Sequence, residues 1–256
     1  MKLRIYSDIH LELPGATFVV PELPDDKETV LVLAGDIDTG HNATDFIKPL
    51  LRQFRAVIYV LGNHEFYGNR VDKVQRRWKA TNEYHDNLHV LDDAVVVIDD
   101  VRFIGSTLWT DMDRGNPLAE MDAQQYLNDY RRITINDYGR YRKLRPMDTC
   151  KMHARSRFFI QERLRESFDG KTVVVTHHAP LAQCVHERYR GDPLNVCYYS
   201  DLESLFLGYD FNLWIHGHMH DPVHIEDVYG KDVRSNPVGY VGENRPGFEP
   251  ELVVEV

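Results

Sequence analysis

The sequence predicts an α/β fold, and three observations point to it. Short runs rich in Val, Ile and Leu alternate with segments of helical periodicity. Several of the apolar runs close in Gly or a polar cluster, as strands do when they reach the edge of a sheet. A further set of apolar runs lies between and after them, which suggests a second sheet stacked on the first.

The first strands are Leu3–Tyr6 before Ser7-Asp8, Val30–Ala34 before Gly35-Asp36, and Ala56–Leu61 before Gly62-Asn63-His64. Two more are Thr172–Val175 before Thr176-His177-His178 and Phe211–Ile215 before His216-Gly217-His218. Phe46, Leu50 and Phe54 fall at helical spacing, as do Val71, Val74 and Trp78, and a third pattern runs back from Phe168 and Leu164 towards Phe158. The second set comprises Leu88–Leu91, Val95–Ile98, Val101–Ile104, Val223–Asp227, Lys231–Arg234 and Leu252–Val256. These read as antiparallel and hairpin-linked, with a turn at Tyr229-Gly230-Lys231. Residues 106–160 break the rhythm. They read as a partly helical insertion over the site edge, within a single domain spanning 1–256.

Composition narrows the function. No run of about 18 apolar residues is present, so no membrane helix is expected. The N-terminus lacks a secretory pattern. Cys150, Cys184 and Cys197 are odd in number and widely spaced, which fits a reducing, cytoplasmic compartment. Net charge is -10, but residues 131–165 carry +8 and the remainder -18. That balance argues against generic duplex nucleic-acid binding. The basic segment, with Tyr126, Tyr130, Tyr138 and Tyr141, suits either gripping a phosphate and stacking a base or ordinary helix packing. Arg234-Ser235-Asn236-Pro237 is a further candidate to face the site.

The polar clusters carry chemistry. Asp8-Ile9-His10 places a carboxylate and an imidazole two residues apart at a strand end, where both reach one cation. Gly35-Asp36 allows a tight bend before a carboxylate. Gly62-Asn63-His64-Glu65 offers a neutral amide oxygen as a ligand and a His free to donate a proton. His177 leaves a strongly apolar run. His216-Gly217-His218-Met219-His220 sets three imidazoles at alternate positions, on one face if the segment is extended. No single motif decides the matter; the set does.

In that order, with Asp8 to Asp36 spaced 28 apart and Asp36 to Asn63 spaced 27, the motifs resemble the calcineurin-like metallophosphoesterase superfamily. The resemblance implies an αββα sandwich of two mixed sheets flanked by helices. It implies two divalent ions, Mn, Fe, Zn or Ni. Asp8, His10 and His220 would hold one, and Asn63, His177 and His218 the other, with Asp36 between. His177 matches the pattern better than His178, and His64 would be the general acid, with the adjacent Glu65 a candidate to orient it. On that reading two ions about 3.5–4 Å apart activate a shared hydroxide that attacks phosphorus in line. The substrate is then a small anionic phosphate ester. A phosphodiesterase on a nucleotide-like or small substrate is the favoured reading, with a phosphomonoesterase or protein phosphatase as alternatives. A catalytically inactive scaffold would lack ligands, and none is missing. The sequence has no nucleophile elbow for a serine hydrolase and no HxHxDH run of the metallo-β-lactamase type.

Overall fold

The computed structural model describes residues 1–243 and 246–256. In chain order the first half contains β1 (Lys2–Tyr6), β2 (Val30–Ala34), α1 (Ala43–Gln53), β3 (Ala56–Val60), α2 (Val71–Tyr84), β4 (Leu88–Val90), β5 (Ala94–Ile98) and β6 (Val101–Ser106). Segment 106–160 then holds α3 (Met112–Gly115), α4 (Pro117–Tyr126), α5 (Asp129–Arg132), a hairpin of β7 (Thr134–Asp137) and β8 (Arg140–Lys143), and most of α6 (Pro146–Arg165). The chain closes with β9 (Lys171–Thr176), α7 (Glu203–Gly208), β10 (Leu213–Ile215), β11 (Val223–Val228), β12 (Lys231–Ser235) and β13 (Val253–Glu255). Among the described residues no helix is long and apolar enough to cross a membrane.

Two mixed sheets stack face to face, in the orders β13-β1-β2-β3-β4 and β11-β12-β10-β9-β6-β5. Strand side chains alternate between faces, so each buried strand feeds two cores. Leu3, Ile5, Val32, Ile58 and Val60 of the first sheet meet Phe103, Val173, Val175 and Ile215 of the second between the sheets. The alternate residues Leu31, Leu33, Val57 and Tyr59 face outward onto α1 and α2 through Ile47, Leu50, Val74 and Trp78. On the far side Ile104, Val174 and Trp214 pack on Ile160 and Leu164 of α6 and Phe206 of α7. The result is a four-layer αββα sandwich. Truncating a residue between the sheets, such as Ile58 to Ala, costs about 2–5 kcal/mol, because the cavity left cannot collapse.

Strand assignment departs from the sequence expectation in one respect. Leu88–Leu91 and Leu252–Val256 join the first sheet, with β4 parallel to β3 and β13 antiparallel to β1. The runs at 172–175 and 211–215 form the middle of the second sheet, where β6 and β12 lie parallel to them. Strands covered on both faces show the same Val/Ile/Leu run whichever sheet holds them, so composition does not sort them. The hairpins β5–β6 and β11–β12 are antiparallel as expected. Tyr229 and Gly230 both take left-handed φ, 52° and 80°, at the turn of the second. Helix α6 stops at Arg165; Phe168 lies beyond it, its ring under the Arg102 guanidinium at 5.0 Å.

Candidate metal centre

Parallel strands deliver their C-terminal ends to one edge, where ligands collect in α/β sheets. At this edge the backbone leaves the allowed extended region repeatedly. Asp8, His10, Asp36, His218 and His220 all have left-handed φ between 53° and 68°. Non-glycine residues held there carry strain of about 1–3 kcal/mol each, which is typical of functional sites. Segment 216–220 is therefore not extended, and its three imidazoles do not share a face. His216 turns away, its Nδ1 on Gly217 O at 2.9 Å, and burial pushes its pKa down to about 4. His218 and His220 go to different clusters.

In the first cluster Asp8, His10 and His220 converge, with His10 Nε2 and His220 Nε2 3.0 Å apart. His10 Nδ1 lies 3.2 Å from Glu12 Oε1, and His220 Nδ1 lies 2.9 Å from Glu243 Oε2. A carboxylate only accepts, so each Nδ1 carries a proton, and in the neutral rings both Nε2 atoms face each other as bare lone pairs. Two lone pairs aimed at one point fit a cation between them. Backing a ligating His with a carboxylate is the usual way of fixing its tautomer.

In the second cluster Asp36, His177 and His218 converge. His177 Nδ1–H donates to Ala34 O at 2.8 Å, so Nε2 is the atom turned to the cluster; burial opposes a charge on the ring, but Asp36 raises its pKa to about 10, and an ion would take the place of that proton. That atom faces Asn63 Oδ1 at 3.0 Å, His218 Nδ1 at 3.1 Å and Asp36 Oδ2 at 3.4 Å. Two nitrogens and two oxygens thus converge within 3.0–3.4 Å of one atom, an N/O set that suits Mn, Fe, Zn or Ni. Neighbouring His178 stays outside; it packs its Nδ1 at 3.2 Å from Thr107 O, and burial pushes its pKa down to about 3.

Asp36 lies between the clusters, its Oδ2 3.9 Å from both His10 Nε2 and His64 Nε2. Although burial opposes its charge, the surrounding imidazoles hold it well below the usual carboxylate range. Glycines make room for this crowding. A Cβ on Gly217 would meet Ala34 O at 2.6 Å and Asp8 Oδ2 at 2.9 Å, and one on Gly62 would strike the Asp36 carboxylate.

Beside the clusters lies a cavity of about 390 Å³. Asp36, Asn63, His64, His218 and His220 reach it, and Tyr67, Tyr126, Tyr198 and Tyr240 line it. Of the tyrosines singled out by sequence only Tyr126 is on this wall. Tyr130 is buried and bonded to Thr149, whereas Tyr138 and Tyr141 are exposed on the β7–β8 hairpin. Asn236 bonds Ile5 O of β1 and Glu249 O of the segment before β13, and it does not line the cavity.

A model of the calcineurin-like phosphoesterases matches residues 1–222. The chain belongs to this family. Calcineurin-like phosphoesterases catalyse metal-dependent phosphoester hydrolysis, and the two clusters could hold the divalent ions this needs. An uncharacterized protein of Acanthamoeba polyphaga mimivirus is 26% identical over 277 residues, covering 99% of this chain and 96% of its own. The fold is shared with the phosphopantetheinyl hydrolase of Mycobacterium tuberculosis, at a TM-score of 0.67 and 19% identity over 93% of this chain and 89% of that one. A dimetal phosphatase from Danio rerio superposes with a TM-score of 0.47 and 18% identity, over 80% of this chain and 71% of that one.

Within this phosphoesterase the carboxylate on His64 is not Glu65. His64 Nδ1 meets Glu12 Oε1 at 2.6 Å. Burial opposes the Glu12 charge, yet hydrogen bonds from His10 and His64 hold its pKa down at about 2. Glu12 extends the alternation Asp8-x-His10-x-Glu12, a signal open to sequence reading. Glu65 is a staple instead. It accepts from Gly62 N (2.7 Å), Ile37 N (2.8 Å), Asp36 N (3.1 Å) and Tyr59 OH (2.6 Å), joining the loops after β2 and β3. Burial and the Asp36 charge push its pKa up to about 7, but four donors face it, and they favour the ionised form. Glu243, and Asp129 from α5, also stand behind the clusters, and no motif marks either.

Proposed function

We propose that the chain is a binuclear phosphodiesterase acting on a small, nucleotide-like substrate. Asp8, His10 and His220 would hold one divalent ion and Asn63, His177 and His218 the other, with Asp36 shared. The observation that carries this is the convergence of ligand atoms in both clusters, at 3.0 Å between His10 and His220 and 3.0–3.1 Å around His177 Nε2. Such ions supply an activated water near neutral pH and neutralise charge on phosphoryl oxygens.

The protein's own groups do the rest. Glu12 accepts from His64 Nδ1 and favours the imidazolium, which Asp36 also favours. Burial works the other way, and the carboxylates win, so the His64 pKa is raised. Its Nε2 faces the cavity side near Asp36 Oδ2 and holds the proton that the leaving oxygen takes. Tyr67 stacks on the His64 ring at 4.1 Å and keeps its plane fixed.

Cavity volume and aromatic walls suit a base or similar planar group. The walls also carry Asp129, Asp192 and Glu243, which favour a singly charged diester over a doubly charged monoester. Mn, Fe, Zn and Ni all fit the donors. We also propose a reducing, cytoplasmic setting. The three cysteines are free thiols, and burial pushes Cys184 and Cys197 up to about 12. Segment 106–160 is proposed as an insertion belonging to the same domain.

The test is a screen of metal-reconstituted protein against p-nitrophenyl phosphate, bis-p-nitrophenyl phosphate and a nucleotide panel. Higher kcat/KM on diesters is expected. A clear preference for monoesters overturns the diester assignment.

A further inference from the structure

An amide can offer a cation only its oxygen. The opposite edge carries two N–H donors, which a cation repels, so the partner of the amino edge decides which way the group faces. For Asn63 that partner is Asp129. Asp129 is 5% exposed, and its Oδ1 accepts from Asn63 Nδ2 at 2.8 Å. Tyr67 OH donates to the same oxygen at 2.7 Å. With the amino edge taken by an acceptor-only group, Asn63 Oδ1 is turned to His177 Nε2 at 3.0 Å.

Asp129 is itself fastened to the loop it serves. Gly68 N donates to Arg132 O at 3.1 Å, and Thr134 N to Asn69 O at 3.0 Å, so the C-terminal end of α5 and the start of β7 are tied to the loop that runs from Asn63 to Asn69. The geometry points to Asp129 as a positioning residue that locks the Asn63 amide with its oxygen toward the ion shared with His177 and His218. This role rests on the metal reading of those three residues. Its consequence is that segment 106–160, which is read as an insertion, carries part of the metal centre and is not a detachable lid.

Exchanging the two groups tests this. In Asp129→Asn the amide can present either edge to Asn63, and the orientation is no longer set. In the double variant Asn63→Asp/Asp129→Asn the carboxylate sits at position 63, an N–H donates to it from position 129, and net charge is native. Metal-free protein is titrated with Mn²⁺ by calorimetry, with circular dichroism as the check on folding. Wild type is expected to take two ions. Asp129→Asn should weaken one site by about 10–100-fold and leave the other unchanged. The double variant should recover most of that loss, and Asp122→Asn, in α4 of the same segment, should leave both sites as they were. If wild type takes fewer than two ions, the metal reading itself fails. If wild type takes two and Asp129→Asn binds both as tightly, only the role of Asp129 is overturned. Failure of the double variant to recover affinity, or equal weakening in Asp122→Asn, also overturns it.

Discussion

His64 Nδ1 and Glu12 Oε1 lie 2.6 Å apart, across 52 residues of sequence. The same oxygen lies 3.2 Å from His10 Nδ1. One carboxylate thus braces a proposed metal ligand and the proposed general acid together. Charge-assisted bonds of this length are among the stronger ones in proteins.

Removing the acid should show in the leaving group. His64→Asn is expected to lose about 10²–10⁴-fold in kcat on alkyl phosphodiesters. On p-nitrophenyl esters, whose leaving group needs no proton, the loss should be much smaller. Equal losses on both would remove His64 from the acid role. Metal content, read alongside, is expected to stay at the wild-type level.

Glu12 acts through His64 if the two losses overlap. Glu12→Gln is expected to cost about 10–100-fold on poor leaving groups. Added to His64→Asn it should cost little more, because residues in one network are not additive. Fully additive losses would place its main action on His10 instead.

Glu65 is expected to matter for stability first. Glu65→Gln turns an amino edge onto backbone N–H donors that now meet an oxygen, either Gly62 and Asp36 or Ile37. The second orientation is the cheaper, since the Tyr59 hydroxyl can turn to accept, and orphaning the one remaining N–H costs about 1–3 kcal/mol. Urea unfolding of the metal-free protein reads this directly. An unchanged midpoint would mean that the loops after β2 and β3 hold without the staple.

Gly217→Ala tests how closely the backbone must approach the site. The added methyl meets Ala34 O at 2.6 Å and Asp8 Oδ2 at 2.9 Å, so Asp8 has to move. Metal content is expected to fall while the circular dichroism spectrum stays native. Full metal content would show that the loop has slack.

What the sequence disclosed follows from how the site is built. Each candidate ligand sits on a short loop directly after a strand, so a motif and an apolar run appear together, as at Ala34-Gly35-Asp36 and Leu61-Gly62-Asn63. The stacking of two sheets was legible for the same reason. Which strand joins which sheet was not, because β9 and β10 are buried on both faces and look like β2 and β3. The alternation in 216–220 puts its imidazoles on one face only if the segment is extended, and left-handed φ at His218 and His220 sends them to separate clusters. Asp129 and Glu243 reach the site from distant loops with no neighbouring motif. Their roles exist only in three dimensions.

The most direct test is a count of metal. Protein reconstituted with Mn²⁺ and freed of excess ion is analysed by elemental mass spectrometry, wild type beside Asp36→Asn. Two ions are expected per wild-type chain and fewer than two in Asp36→Asn, since that carboxylate stands between both clusters. One ion or none in an active wild-type enzyme, or two in Asp36→Asn, would contradict a two-ion centre shared through Asp36.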